Sequence, residues 1–200
     1  MNIMLADNHE LFRIGISTIL EEMFPHCHIT QCDSWVAVEK HLLNYSNKFD
    51  LILIDIFMLN HKSWHQSLND MIDIHQDTPV CVLSTHTEQD LLQQAIDTGI
   101  NGYICKTDDI NSIKTAIKKV SHGQVHYPMQ LWQQVTQESH PFLTQRQQEI
   151  IRLIESGYSN KLISQKLDLT ENTVKRHVYN ICERLNAKNR TEAVKLARIS

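Results

Sequence analysis

Residues 143–185 read LTQRQQEIIRLIESGYSNKLISQKLDLTENTVKRHVYNICERL, which predicts three short helices separated by two tight breaks. Thr144 and Gln147 have the T-x-x-Q spacing of a capping box, in which each side chain satisfies the other residue's free backbone N–H. Gly157 suits the stop of that first helix. Ser159 caps a second helix to Leu167, and Thr170 caps a third from Glu171 to about Leu185. A fourth follows Thr191, with Ala193, Val194 and Ala197 as its apolar residues. On the third helix Val174, Val178, Ile181 and Leu185 share one face, with His177 beside them. Asn172, Lys175, Arg176 and Tyr179 fall on the opposite face. A helix built this way can rest on a small core and enter a DNA groove at the same time. A solvated charged face has a similar composition, but the cap, the tight DLT turn and the paired helices favour the groove. The free N–H groups after Thr170 can hold a phosphate. Lys161 and Arg190 can add phosphate contacts. Arg176 and Lys175 suit guanine edges, and Asn172 suits adenine.

Charge separates this region from the rest of the chain. Residues 140–200 carry eleven basic and six acidic side chains, whereas residues 1–121 carry eight basic and sixteen acidic. Only the back of the chain is therefore suited to a polyanion. A chain of 200 residues suggests two domains, and the composition is globular. No apolar run approaches the roughly 20 residues of a membrane span. The start MNIMLADN lacks the basic and apolar regions of a signal peptide. Cys27, Cys32, Cys81, Cys105 and Cys182 form an odd set without paired spacing, which suggests reduced thiols and a cytoplasmic protein. The stretch HCHITQC contains metal-capable His26, His28 and Cys32. No second cluster completes a tetrahedral set, and the bland reading is a loop running into a strand.

The front half alternates strands and helices. NIMLA (2–6), HITQC (28–32), DLILID (50–55), PVCVLS (79–84) and NGYIC (101–105) are short β-rich runs. In the first helical stretch Phe12, Ile16, Ile19, Leu20 and Met23 fall on one face. Thr87 suits the start and Gly99 the stop of the fourth, and the fifth covers about Ile110 to Ser121. This alternation predicts an α/β fold: a five-stranded parallel, doubly wound, flavodoxin-like sheet, followed by a small all-α domain. The boundaries are 1–121 for the front domain, 122–140 for a linker and 141–200 for the back domain. The linker is expected to be partly helical around Gln130–Val135, and Trp132 packs on a domain or is incidental.

In a parallel sheet, chemistry collects beyond the carboxyl ends of the strands. Asp7 and Asn8 follow the first strand, Asp55 ends the third, Ser84 ends the fourth and Lys106 follows the fifth. Strand-terminal Asp and Ser often only cap the next helix; the combination at four strand ends is far more specific. A carboxylate flanked by a second carboxylate and a Lys can do nucleophilic phosphoryl chemistry when Mg²⁺ neutralises the charge.

Over residues 1–121 these residues resemble the receiver domain of two-component response regulators. The resemblance implies that Asp55 is the phosphoryl acceptor, phosphorylated by a partner histidine kinase. It implies a Mg²⁺ site made by Asp7, Asn8, Asp55 and the main-chain carbonyl of Phe57. It makes Ser84 the hydroxyl that bonds the phosphoryl group, Lys106 its partner, and Tyr103 the aromatic that swings inward on activation. The signalling face would lie around the fourth and fifth helices. The chain departs from the pattern in several places. Asn8 replaces the second acidic residue, which weakens Mg²⁺ binding. Leu59 stands where a Pro is usual, and Thr107 follows Lys106, so a cis peptide there would lack the Pro that makes it cheap. Phe57 and His86 flank the place where dephosphorylation is controlled, and a bulky Phe57 is expected to impede attacking water.

Over about residues 142–197, LTQRQQEII, SGYSNKLISQKL, LTENTVKRHVYNI and NRTEAV closely resemble the LuxR-type helix-turn-helix of NarL/FixJ response regulators. That resemblance implies groove contacts led by Lys175, Arg176 and Tyr179. It also implies a DNA-facing set that includes Ser159, Lys161, Thr170, Asn172, Thr173 and Arg190, and a final helix that pairs in a homodimer on double-stranded DNA. Gln147 replaces a usual Glu and still completes the capping box. Three readings follow. The first is a transcription regulator controlled by phosphorylation. The second has the same DNA-binding output without phosphorylation, which Asn8 favours. The third is an aspartyl phosphohydrolase, which would need an acid at the position of Phe57.

Overall fold

The structure, a computed structural model, describes residues 1–42, 48–58, 64–75, 78–128 and 143–199. The front of the chain runs β1 (Asn2–Ala6), α1 (Glu10–Met23), β2 (His28–Cys32), α2 (Trp35–Leu42), β3 (Leu51–Asp55), α3 (Trp64–Ile74), β4 (Val80–Ser84), α4 (Gln89–Asp97), β5 (Gly102–Cys105) and α5 (Ile110–Ser121). All strand pairs are parallel, in the order β2-β1-β3-β4-β5. This is the five-stranded parallel fold expected from the alternation of elements. Three strands begin one residue later than the β-rich runs suggest. At β4 the cause is chemical: Pro79 has no N–H to give a ladder and contributes only its carbonyl, which accepts from the Ile52 N–H at 2.9 Å.

The chain packs as two compact units. The first comprises residues 1–86 and 100–126; the second joins residues 87–99 to residues 127–200. In the first unit Ile3, Leu5, Leu51, Leu53, Cys81, Leu83 and Ile104 share a core with Ile16 and Leu20 of α1 and Ile113, Ile117 and Val120 of α5. The alternate strand residues Met4, Ile52, Ile54 and Val82 are buried as well, so both faces of the sheet are covered. Phe12, Ile19 and Met23 pack at the edge of that core, as the α1 periodicity requires. At Gly102 an added Cβ would lie 2.6 Å from Val120 Cγ2 and 2.7 Å from Cys81 Sγ, so α5 can approach β5 only because this residue has no side chain. Past α5, the His126 carbonyl accepts from the Tyr103 N–H at 2.9 Å and extends pairing beside β5.

The second unit contains α4 with α6 (Gln145–Glu155), α7 (Asn160–Leu167), α8 (Glu171–Leu185) and α9 (Arg190–Ile199). Leu143, Ile150, Ile154, Ile163, Val174, Ile181 and Ala193 form the core of its C-terminal helices. The Thr144–Gln147 capping box forms in full, and Ser159 and Thr170 each accept the backbone N–H three residues on. Asp168 and Asn186 end α7 and α8 in the left-handed region at φ 53° and 51°, which these two residue types tolerate. Two helix starts differ from expectation. Helix α4 begins at Gln89 after Glu88, not after a Thr87 cap, because the Glu88 carbonyl accepts the bond from the Leu92 N–H. Helix α9 begins at Arg190 because the Asn189 side chain accepts from the N–H groups of Thr191 and Glu192 at 3.1 and 2.9 Å. The helical expectation for Gln130–Val135, Trp132 and the Leu59 position lie outside the described residues. No helix among the described residues is long and apolar enough to cross a membrane.

Candidate functional sites: a strand-end pocket and a helix face

Parallel strands deliver their carboxyl ends to one edge, so residues distant in sequence converge there. Asp7 follows β1, Asp55 and Ser84 end β3 and β4, and Lys106 follows β5; Asp7 and Ser84 are fully buried and Asp55 nearly so. The Lys106 ammonium lies 2.5 Å from Asp7 Oδ2 and 2.6 Å from Asp55 Oδ2. The Phe57 N–H donates to Asp55 Oδ1 at 2.8 Å, and the His9 N–H donates to Asp7 Oδ1 at 2.8 Å. Two buried carboxylates thus face one ammonium, an excess of negative charge that favours a further cation. Asn8 Oδ1 is buried without a hydrogen-bond partner. Sequence reading missed His9, whose Nδ1 lies 3.2 Å from Asp7 Oδ1 and 3.9 Å from Asp55 Oδ2. Its place beside the Asp7–Asn8 pair was the available signal, but periodicity does not say where a turn side chain points. Among the described residues, Asp7, His9 and Asp55 form the group able to hold a metal; His26, His28 and Cys32 do not.

Ser84 Oγ accepts the His86 N–H at 3.0 Å. Tyr103 is fully buried, and its hydroxyl donates to the His86 carbonyl at 2.8 Å, so the aromatic is already inward. The Phe57 ring lies 4.4 Å from the His86 ring and 6.4 Å from the Trp64 ring, forming an aromatic row next to Asp55. The Lys106–Thr107 peptide is trans.

In the second unit, Lys175 and Tyr179 on α8 are exposed and Asn172 is half-buried. Ser159, Lys161 and Thr170 are exposed. Thr173 is buried, and Arg190 donates to Asn160 Oδ1 and the Tyr158 carbonyl at 3.0 and 2.9 Å. Arg176, expected to face outward, is buried together with His177 and Asn180. The C-terminal turn of α4 accounts for this burial. His177 Nε2 lies 2.9 Å from the Asp97 carbonyl, Asn180 Nδ2 donates to the Gly99 carbonyl at 3.2 Å, and a Cβ at Gly99 would lie 3.3 Å from Arg176 Cγ and Cδ. Burial pushes the Asp97 carboxyl up to about 6 and the His177 imidazole down to about 4, each shifted toward its neutral form. Periodicity could not reveal these contacts, because α4 is more than seventy residues away from α8 in the chain.

Residues 3–118 match the response regulator receiver domain, and residues 141–197 match the luxR family of bacterial regulatory proteins. The transcriptional regulatory protein DegU of Brevibacillus brevis is 32% identical, over 97% of this chain and 91% of its own length. The response regulator protein VraR of Staphylococcus aureus is 32% identical, over 97% and 94%. The chain belongs to the response regulators. It joins a receiver to a LuxR-type helix-turn-helix, the NarL/FixJ arrangement, and so is a DNA-binding regulator of the two-component type. Its fold is also that of RcsB from Salmonella typhimurium, with a TM-score of 0.61 at 18% identity and 98% coverage of both chains. A solved complex of RcsB with DNA has a TM-score of 0.59 at 19% identity. Receivers bind Mg²⁺ in an acidic pocket, and the paired buried carboxylates of this response regulator suit a divalent ion.

Proposed function

We propose that Asp55 accepts a phosphoryl group from a partner histidine kinase and that this event controls DNA binding by α8 in the cytoplasm. The observation that carries the proposal is the convergence of Asp55, Asp7, Ser84 and Lys106 at one sheet edge, with the ammonium 2.6 Å from Asp55. Asp55 would be the nucleophile, Lys106 and Ser84 would hold the transferred oxygens, and a divalent ion on Asp7, Asp55 and the Phe57 carbonyl would offset their charge. Asn8 would contribute an amide oxygen where a second carboxylate is usual.

On the output side, Lys175, Arg176 and Tyr179 would enter the major groove of a two-fold related DNA site as a homodimer, with α9 at the dimer contact. Asn172 and Thr173 would flank them, while Ser159, Lys161, Thr170 and Arg190 would meet phosphates. While the last turn of α4 holds His177 and Asn180 and covers Arg176, that one member of the reading face is unavailable. Phosphorylation would then act by biasing release of this turn. A second reading, control without phosphorylation, is favoured by Asn8 and by Tyr103 already being inward.

The test is intact-mass measurement after acetyl phosphate and Mg²⁺, with wild type beside Asp55→Asn. DNA affinity is measured on the same samples. Phosphoryl addition in wild type alone, accompanied by tighter DNA binding, supports the first reading. No addition, with DNA affinity unchanged by the phosphodonor, supports the second.

A further inference from the structure

The pocket contains a nitrogen donor that the phosphoacceptor chemistry leaves unused. We propose that His9 is a direct ligand of the pocket's divalent ion, and that the site therefore prefers a first-row transition ion to Mg²⁺. The inference rests on reading the pocket as a cation-dependent phosphoacceptor site.

Three observations lead there. One ligand atom each from Asp7, His9 and Asp55 lies within 4.8 Å of the others, close enough to share an ion. A positive group already sits among them: Lys106 Nζ is 2.5 Å from Asp7, 2.6 Å from Asp55 and 3.4 Å from His9 Nδ1. The residue between Asp7 and His9 is an amide, so the usual second carboxylate is missing, and its Oδ1 is buried without a hydrogen-bond partner. The His9 side chain is 64% exposed, which leaves its far nitrogen to water and gives an ion an entry path.

Ligand chemistry sets the preference. Mg²⁺ is a small, hard ion that demands oxygen ligands in near-ideal octahedral geometry and gives up its waters reluctantly. Imidazole is a softer donor that suits first-row transition ions. Replacing a carboxylate with a neutral amide lowers the charge that holds Mg²⁺, while the neighbouring imidazole adds a donor that Mg²⁺ uses poorly. The same pocket then binds Mg²⁺ less tightly and a transition ion more tightly.

The test uses the full, unphosphorylated chain, titrated with Co²⁺ and with Mg²⁺. Co²⁺ is followed by its d–d absorption and by paramagnetic shifts of the His9 ring protons. Wild type should bind Co²⁺ at least about tenfold more tightly than Mg²⁺. His9→Ala, at an exposed side chain, should lower Co²⁺ affinity by about tenfold or more and abolish the nitrogen contribution to the spectrum, with little change for Mg²⁺. Asn8→Asp should strengthen Mg²⁺ binding and narrow the ratio. Equal wild-type affinity for the two ions, or Co²⁺ affinity unchanged in His9→Ala, overturns the inference. The intact-mass result separates this from the functional reading. If Asp55 takes a phosphoryl group but His9 binds no ion, only this inference fails. If His9 binds Co²⁺ but Asp55 takes no phosphoryl group, only the phosphoacceptor reading fails.

Discussion

The strand-end pocket draws Asp7, Asp55, Ser84 and Lys106 from four different strand ends, whereas Lys175, Arg176 and Tyr179 sit within five residues of one helix. The pocket exists only once the sheet is assembled, and its charges are buried and mutually dependent. The α8 face exists wherever α8 forms; the fold decides only whether that face is available. One region builds its chemistry from tertiary structure; in the other, tertiary structure covers Arg176 and leaves Lys175 and Tyr179 exposed. Perturbing the two regions should therefore have different consequences.

The largest expected effect is at Lys106. Lys106→Ala leaves two buried carboxylates without their cation and should cost about 3–5 kcal/mol in urea unfolding. Adding Asp55→Asn should recover part of that loss, because one of the opposed charges is removed. Additive single and double variants would mean that the pocket charges do not depend on one another.

The next effect concerns the α4–α8 contact and its response to pH. Asp97 is raised from its ordinary 3.8 to about 6 by burial, against the opposing influence of Gln93, Arg146 and Thr144. Its neutral form therefore stabilises the fold below pH 3.8, and that contribution is lost as pH rises through 6. His177 is lowered from 6.5 to about 4 by burial, with Arg146 and Arg176 acting in the same direction. Its contribution is present above pH 6.5 and is lost as pH falls through 4. Over the shared window the two slopes oppose each other. Their combined contribution to stability in wild type should be nearly flat between pH 4.5 and 6. Relative to wild type over that window, His177→Asn should uncover a decline with rising pH, and Asp97→Asn a rise, each of at most about 2 kcal/mol. Denaturation at the two pH values measures this, and identical profiles for all three proteins would contradict the burial of these groups.

A smaller effect is expected at the exposed part of the reading face. Lys175→Ala should weaken DNA binding by about 1–2 kcal/mol and shallow its salt dependence, as read by fluorescence anisotropy across a salt series. An unchanged salt slope would place Lys175 away from phosphate and base contacts alike. The smallest is local: Thr144→Ala breaks the capping box of α6 and should cost about 1 kcal/mol in thermal or urea unfolding, with pocket chemistry unaffected.

Much of this molecule was legible before folding was considered. The parallel order follows from strands alternating with helices. The caps of α6, α7 and α8 follow from Thr144, Ser159 and Thr170, whose side chains bond within their own first turns. The strand-end residues were legible too, because one edge of a parallel sheet must collect them. The starts of α4 and α9 are less legible, since Thr87 and Thr191 are by type equally good caps.

By itself the sequence determined the elements, their order, the acidic front and basic back, and the identities of the charged groups that meet at the sheet edge. These properties depend on interactions within a few residues or on the topology those interactions impose. Only the tertiary structure decided that His9 turns toward the carboxylates, that Tyr103 lies inward, and that Arg176, His177 and Asn180 are buried against the end of α4. Side-chain direction in a turn, and the surface a distant helix covers, depend on contacts between segments that no local pattern encodes.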